Sequence, residues 1–109
     1  MESAQKSASL LDLAQPHLLD GVVVRETSPG ELCVGLRSVG RYAVLPASSR
    51  EVLPLLDGQH RLAEIISQRW SQGDRIAHDA LFFIVVALWQ AELLHPLEPK
   101  VEAFLKSQQ

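Results

Sequence analysis

The sequence predicts an α+β fold in which a three-stranded antiparallel β-meander is followed by three helices. Three observations predict it. Short β-branched runs punctuated by Pro-Gly and Gly signals fill residues 21–46, the apolar spacing turns helical after Pro46, and a capping pattern marks the switch. A chain of 109 residues is one domain and can sustain a core only if most of its apolar side chains are buried. The expected division is a lead-in over 1–20, a folded domain over 21–95 and a tail or linker over 96–109.

The lead-in is polar and Ser-rich, then shows a small apolar patch, Leu10, Leu11 and Leu13, before Pro16. It supports a frayed segment or a single helical turn. Gly21 to Glu26 is the first strand, and Ser28-Pro29-Gly30-Glu31 places Pro and Gly at the centre of a type II turn. The returning strand is Glu31 to Leu36, where Gly35 weakens the strand or marks a bulge. After Ser38-Val39-Gly40 the third strand runs from Arg41 to Leu45 and stops at Pro46.

Ser48 and Glu51 then form a capping-box pair in front of Val52, Leu53, Leu55 and Leu56, with Pro54 keeping this first helix short or bent. Asp57-Gly58 ends it. The second helix, about 62–70, puts Leu62, Ile65, Ile66 and Trp70 on one face before Gln72-Gly73-Asp74, and Asp74 caps the third. That third helix, about 75–93, carries Leu81, Val85, Leu88 and Trp89 on one side and Ala80, Phe83, Ile84, Ala87 and Ala91 on another. Beyond Leu94-His95-Pro96, residues Val101, Phe104 and Leu105 make either a short helix that folds back or part of a linker.

Composition narrows the function. The net charge is −3 and no run of Lys or Arg occurs, so a nucleic-acid partner is not expected. A three-strand, three-helix order is also that of a winged-helix-like unit, but Ala80 to Trp89 offers no base-reading side chain before Gln90. The longest apolar run, Ala80 to Trp89, is too short for a membrane span. Cys33 is the only cysteine, which suits a reducing compartment, and the N-terminus lacks the apolar stretch of a secretory signal. A soluble, cytoplasmic protein is expected.

Residues for chemistry are missing. His17, His60, His78 and His95 stand near predicted element ends with no partner at metal-ligand spacing, and His78 and Asp79, adjacent on a helix, do not face each other. Cys33 lies in mid-strand as a small core residue, and no glycine-rich loop leads from a strand into a helix. The expectation is a non-enzyme with no catalytic residues, no metal and no cofactor.

The third helix is more apolar than a small domain requires, since a helix that packs on one side should be polar on the other. A bound segment, an identical subunit, a tail of the same chain or the domain itself could cover its second side. A meander also leaves two margins with unpaired backbone groups, to which an extended peptide can add as a strand. A homodimer, or a scaffold docked on a partner enzyme through Phe82, Phe83 and Val86, is the alternative.

Leu55-Leu56-Asp57-Gly58-Gln59-His60-Arg61-Leu62-Ala63-Glu64-Ile65, preceded by the Tyr42-Ala43-Val44-Leu45 strand and followed by a long helix ending in Leu93-Leu94, resembles the PqqD-like family of precursor-peptide recognition elements. The resemblance covers about 22–94. The chain departs from the family pattern at Arg61, where Thr is frequent, and at Glu92, where Gly is frequent. The resemblance implies a domain that holds the leader segment of a ribosomally made precursor peptide and presents it to a peptide-modifying enzyme. It further implies that the leader pairs with the backbone of Arg41, Tyr42, Ala43, Val44 and Leu45, in a cleft lined by Ala80, Phe83, Ile84 and Ala87. Arg25, Arg37, Arg41 and Arg50 would favour an acidic, partly apolar leader.

Overall fold

The computed structural model describes residues 13–71, 73 and 78–107. Leu10, Leu11, the Asp74 cap and the side chains of His78 and Asp79 lie outside the described residues. The fold is α+β: strands β1 (Val23–Ser28), β2 (Glu31–Leu36) and β3 (Arg41–Pro46) form one open antiparallel sheet in the order β1-β2-β3, and helices follow.

Local chemistry explains the sheet. Gly30 has φ 85°, the left-handed conformation that a type II turn demands after Pro29, and the Ser28 hydroxyl donates to Glu31 Oε1 at 2.7 Å. Type II geometry does not match the twist of a hairpin, and the register slips between Glu26 and Ser28. The irregularity is therefore in β1, not at Gly35, which pairs in unbroken register with Val23 on one side and Tyr42 on the other. Leu32, Val34, Ala43 and Leu45 face inward and are buried, while Tyr42 and Val44 alternate outward.

The first predicted helix is a correction. Residues 47–55 form two 3₁₀ turns, Ala47–Glu51 and Leu53–Leu55, rather than an α-helix. Pro54 cannot donate an α-type bond, and two tight turns let both Val52 and Leu53 reach the core. The capping box does not form: Ser48 is exposed, and Glu51 instead pairs with the Arg69 guanidinium.

Helix α1 (Leu62–Ser71) buries Leu62, Ile65 and Ile66 at the expected period, with Trp70 exposed. Its N-terminus carries half a capping box. The Arg61 N–H donates to Glu64 Oε1 at 2.9 Å, but Arg61 has no side-chain acceptor to return the bond. Helix α2 (His78–Gln90) buries Leu81, Ile84, Val85 and Leu88 completely or nearly so, and Phe82, Val86, Ala87 and Trp89 pack half-buried against the same core. Much of its second apolar side is thus covered by the chain itself.

Helix α2 ends in a Schellman motif. The Leu93 N–H reaches Leu88 O at 2.9 Å, the Glu92 N–H reaches Trp89 O at 3.0 Å, and Leu88 and Leu93 are both buried. The left-handed residue that this motif requires is Glu92, with φ 58°.

The described residues on either side of 21–95 join the core. Residues 14–19 form a strap held by backbone bonds: Leu62 N–H to Ala14 O, Gly58 N–H to Pro16 O, Leu18 N–H to Leu56 O and Leu19 N–H to Leu93 O, at 2.9 to 3.1 Å. The tail folds back as α3 (Pro99–Ser107), burying Val101 and Leu105 one turn apart. The Leu97 N–H donates to Glu102 Oε2 at 2.9 Å, which fixes the entry to that helix.

Candidate functional site

The backbone of β3 is the starting point. The Ala47 N–H donates to Gly30 O at 2.9 Å, and antiparallel ladders alternate, so Arg41, Ala43 and Leu45 direct their N–H and C=O groups to β2. Tyr42 and Val44 direct theirs to the open margin. Each offers an N–H and a C=O there, and Pro46 offers only a carbonyl. Among the described residues no element pairs with this margin.

Helix α2 runs antiparallel alongside β3. At one end Phe83 meets Val44, Leu45 and Pro46 around an open hollow of about 300 Å³. At the other, Arg41 shares a second hollow, about 430 Å³, with Trp89 and Gln90 of α2 and Glu102 and Lys106 of α3. The seven residue steps from Phe83 to Gln90 rise about 10.5 Å, comparable to the span of three to four strand residues. Ala80, Phe83, Ala87 and Gln90 fall on one helical stripe along this groove. Phe83 is 56% exposed and Val44 57%, which makes the groove apolar at its Pro46 end.

The sequence-predicted residues divide. Tyr42 and Val44 supply the free backbone groups. Phe83 and Ala87 lie on the groove, and Ala80 is exposed at its outer end. Ile84 does not join them: at 2% exposure it belongs to the core, beneath the groove. Arg41, Ala43 and Leu45 hold β3 to β2 rather than presenting backbone groups outward. Gln90 and Pro46 were not anticipated, although continuing the stripe from Ala80, Phe83 and Ala87 by one turn arrives at Gln90.

No family model, curated protein or solved structure matches this chain.

A polar latch closes the Arg41 end. Arg41 Nη1 donates to Glu92 O at 3.3 Å, and Nε stands 3.8 Å from Glu92 Oε2. Glu92 thus accepts left-handed backbone strain and in return ties the helix end to the first residue of β3.

Elsewhere the titratable groups are structural in arrangement. Asp57 Oδ1 accepts from the Gln59 N–H and lies against His60 Nδ1, both at 2.9 Å, and these two contacts, the backbone bond first, hold its carboxyl below the ordinary aspartate value. The His17 ring of the strap lies against that of His95, 4.3 Å between ring centroids and tilted by 34°. Cys33 is half-buried with a free thiol. Among the described residues, no group of three or more His, Cys, Asp or Glu could hold a metal ion, and no helix is long and apolar enough to cross a membrane.

Proposed function

We propose that this protein binds an extended peptide, the leader of a ribosomally made precursor, by adding it as a fourth strand to β3 beside α2. It then presents the peptide to a modifying enzyme and performs no chemistry of its own. The observation that carries this reading is the pair of outward-turned residues Tyr42 and Val44, unpaired among the described residues and flanked by exposed Phe83. The protein works in the cytoplasm in this reading, where precursor peptides are made and Cys33 stays reduced.

Magnitudes support a shared role for strand and helix. Each backbone hydrogen bond contributes about 1 kcal/mol net, and ordering the peptide opposes binding by about 2–5 kcal/mol. Pairing with Tyr42 and Val44 alone therefore binds weakly. Covering Phe83 and the aliphatic groups near it adds about 1.5–3 kcal/mol for each large side chain well buried. The peptide needs apolar residues at alternate positions to reach them.

The test is selection of binders from a displayed random peptide library, followed by affinity measurement with Ala87→Asp. A charge placed one turn from Phe83 should lower affinity at least about tenfold, or about 1.4 kcal/mol. Because Ala87 is half-buried, the melting temperature should fall modestly, with the fold retained. Unaltered affinity would move the site elsewhere. A concentration-independent dimer by light scattering, with no peptide selected, would favour the scaffold reading through Phe83.

A further inference from the structure

Strand addition to β3 leaves the outward face of the sheet unused. An antiparallel sheet packed on one side usually turns polar residues to water on the other. Here the outward positions include Val23, Cys33 and Tyr42, with Gly35 between Val23 and Tyr42 across the sheet. A Cβ on Gly35 would meet the Arg41 carbonyl oxygen and Tyr42 Cδ1, each at 2.7 Å, so the tyrosine ring leans over a position where no side chain fits. The result is an open hollow of about 260 Å³, with Val23, Cys33, Gly35 and Tyr42 among its lining and Arg25 and Arg37 beside them.

Charge selects the occupant. Arg25 and Arg37 are exposed, and neither makes an ion pair among the described residues. The acid that shares the outward face, Glu31, is engaged by the Ser28 hydroxyl at the far end of the hairpin. A second copy presenting the same face would set arginines against arginines. A neutral apolar partner would leave both guanidiniums without a counter-charge. A carboxylate next to an aliphatic side chain satisfies both features, because guanidinium groups bind carboxylates through paired N–H donors.

We propose that the outward face of the sheet docks an acidic, valine- or leucine-bearing segment of a partner protein, at a site separate from the β3 margin. Cys33, the only cysteine in the chain, lines the hollow and serves as its reporter. The full chain is alkylated with N-ethylmaleimide in the presence of a synthetic peptide alternating glutamate and valine. At about twice its dissociation constant the peptide should slow alkylation about threefold, and the glutamine-for-glutamate peptide should not slow it at the same concentration.

The Arg25→Glu, Arg37→Glu double variant should lose the protection, and Arg25→Gln, Arg37→Gln takes its place if charge reversal impairs folding. Ala87→Asp should keep it, which separates this site from strand addition at β3. Alkylation that the acidic peptide does not slow overturns the proposal. So does equal slowing by the glutamine peptide, or slowing that survives loss of both arginines.

Discussion

The two margins of the sheet differ in how they treat a passing chain. Continuing the ladder across β2 turns the backbone groups of Val24 and Glu26 outward on β1. That margin is interrupted by the slip near Thr27, and Glu26 sets a charge on the core-facing side, opposite buried Leu32. Bulges and inward-facing charges are the means by which proteins keep strand edges from pairing. The β3 margin has no slip: its register with β2 is unbroken from Arg41 to Pro46, its inward-facing charge, Arg41, stands at the first residue and is tied to Glu92, its outward side chains are Tyr42 and Val44, and an apolar helix runs beside it. In the proposed reading the first margin refuses a strand and the second receives one.

The comparison breaks most readily at Val44. Val44→Pro removes an N–H that faces the open margin, not β2, so the sheet should survive, as prolines do on edge strands. Affinity for a selected peptide should fall about tenfold, measured by calorimetry, whereas the same change at Glu26 on the opposite margin should leave affinity unchanged.

The latch at the Arg41 end gives the next largest effect. Glu92→Ala and Glu92→Gly both delete the carboxylate, yet only glycine relieves the left-handed backbone. Glu92→Gly should be more stable than Glu92→Ala by about 1 kcal/mol in urea unfolding. Equal stabilities would mean that residue 92 bears no strain.

Two changes far from either margin serve as controls that should move stability and leave binding alone. Arg61→Thr supplies the missing acceptor and completes the capping box with Glu64, raising stability by about 0.5–1 kcal/mol. Asp57→Asn has the smallest effect and a defined pH dependence. Because the folded carboxyl titrates below its unfolded value, its contribution is complete above the ordinary aspartate range and is lost as pH falls through the lowered folded value. Wild type should exceed the variant in urea midpoint near neutrality, and the two should converge in acid.

The sheet was legible because turn chemistry is local: Pro29-Gly30 and Gly40 state where the chain reverses, and alternation states which residues face inward. The 3₁₀ turns at 47–55 were not, since a capping pattern and an apolar run look alike whether Pro54 bends a helix or prevents one. The strap at 14–19 is held by backbone bonds, which leave no mark in side-chain periodicity. Within the site, helical phase assigned Phe83 and Ile84 to the same side. Adjacent positions on a helix differ by about 100°, and packing against β3 turned Ile84 into the core and left Phe83 in the groove. Glu92 gives no sign in the sequence of a left-handed helix end, and its role needed the Arg41 contact.

Amide hydrogen exchange at Tyr42 and Val44, with and without a selected peptide, tests the central claim most directly. Strand addition to β3 predicts that both amides, fast in the free protein, become protected in the complex while those of Val24 and Glu26 stay fast. Protection of the β1 amides instead, or a tight complex that leaves Tyr42 and Val44 exchanging freely, would contradict it.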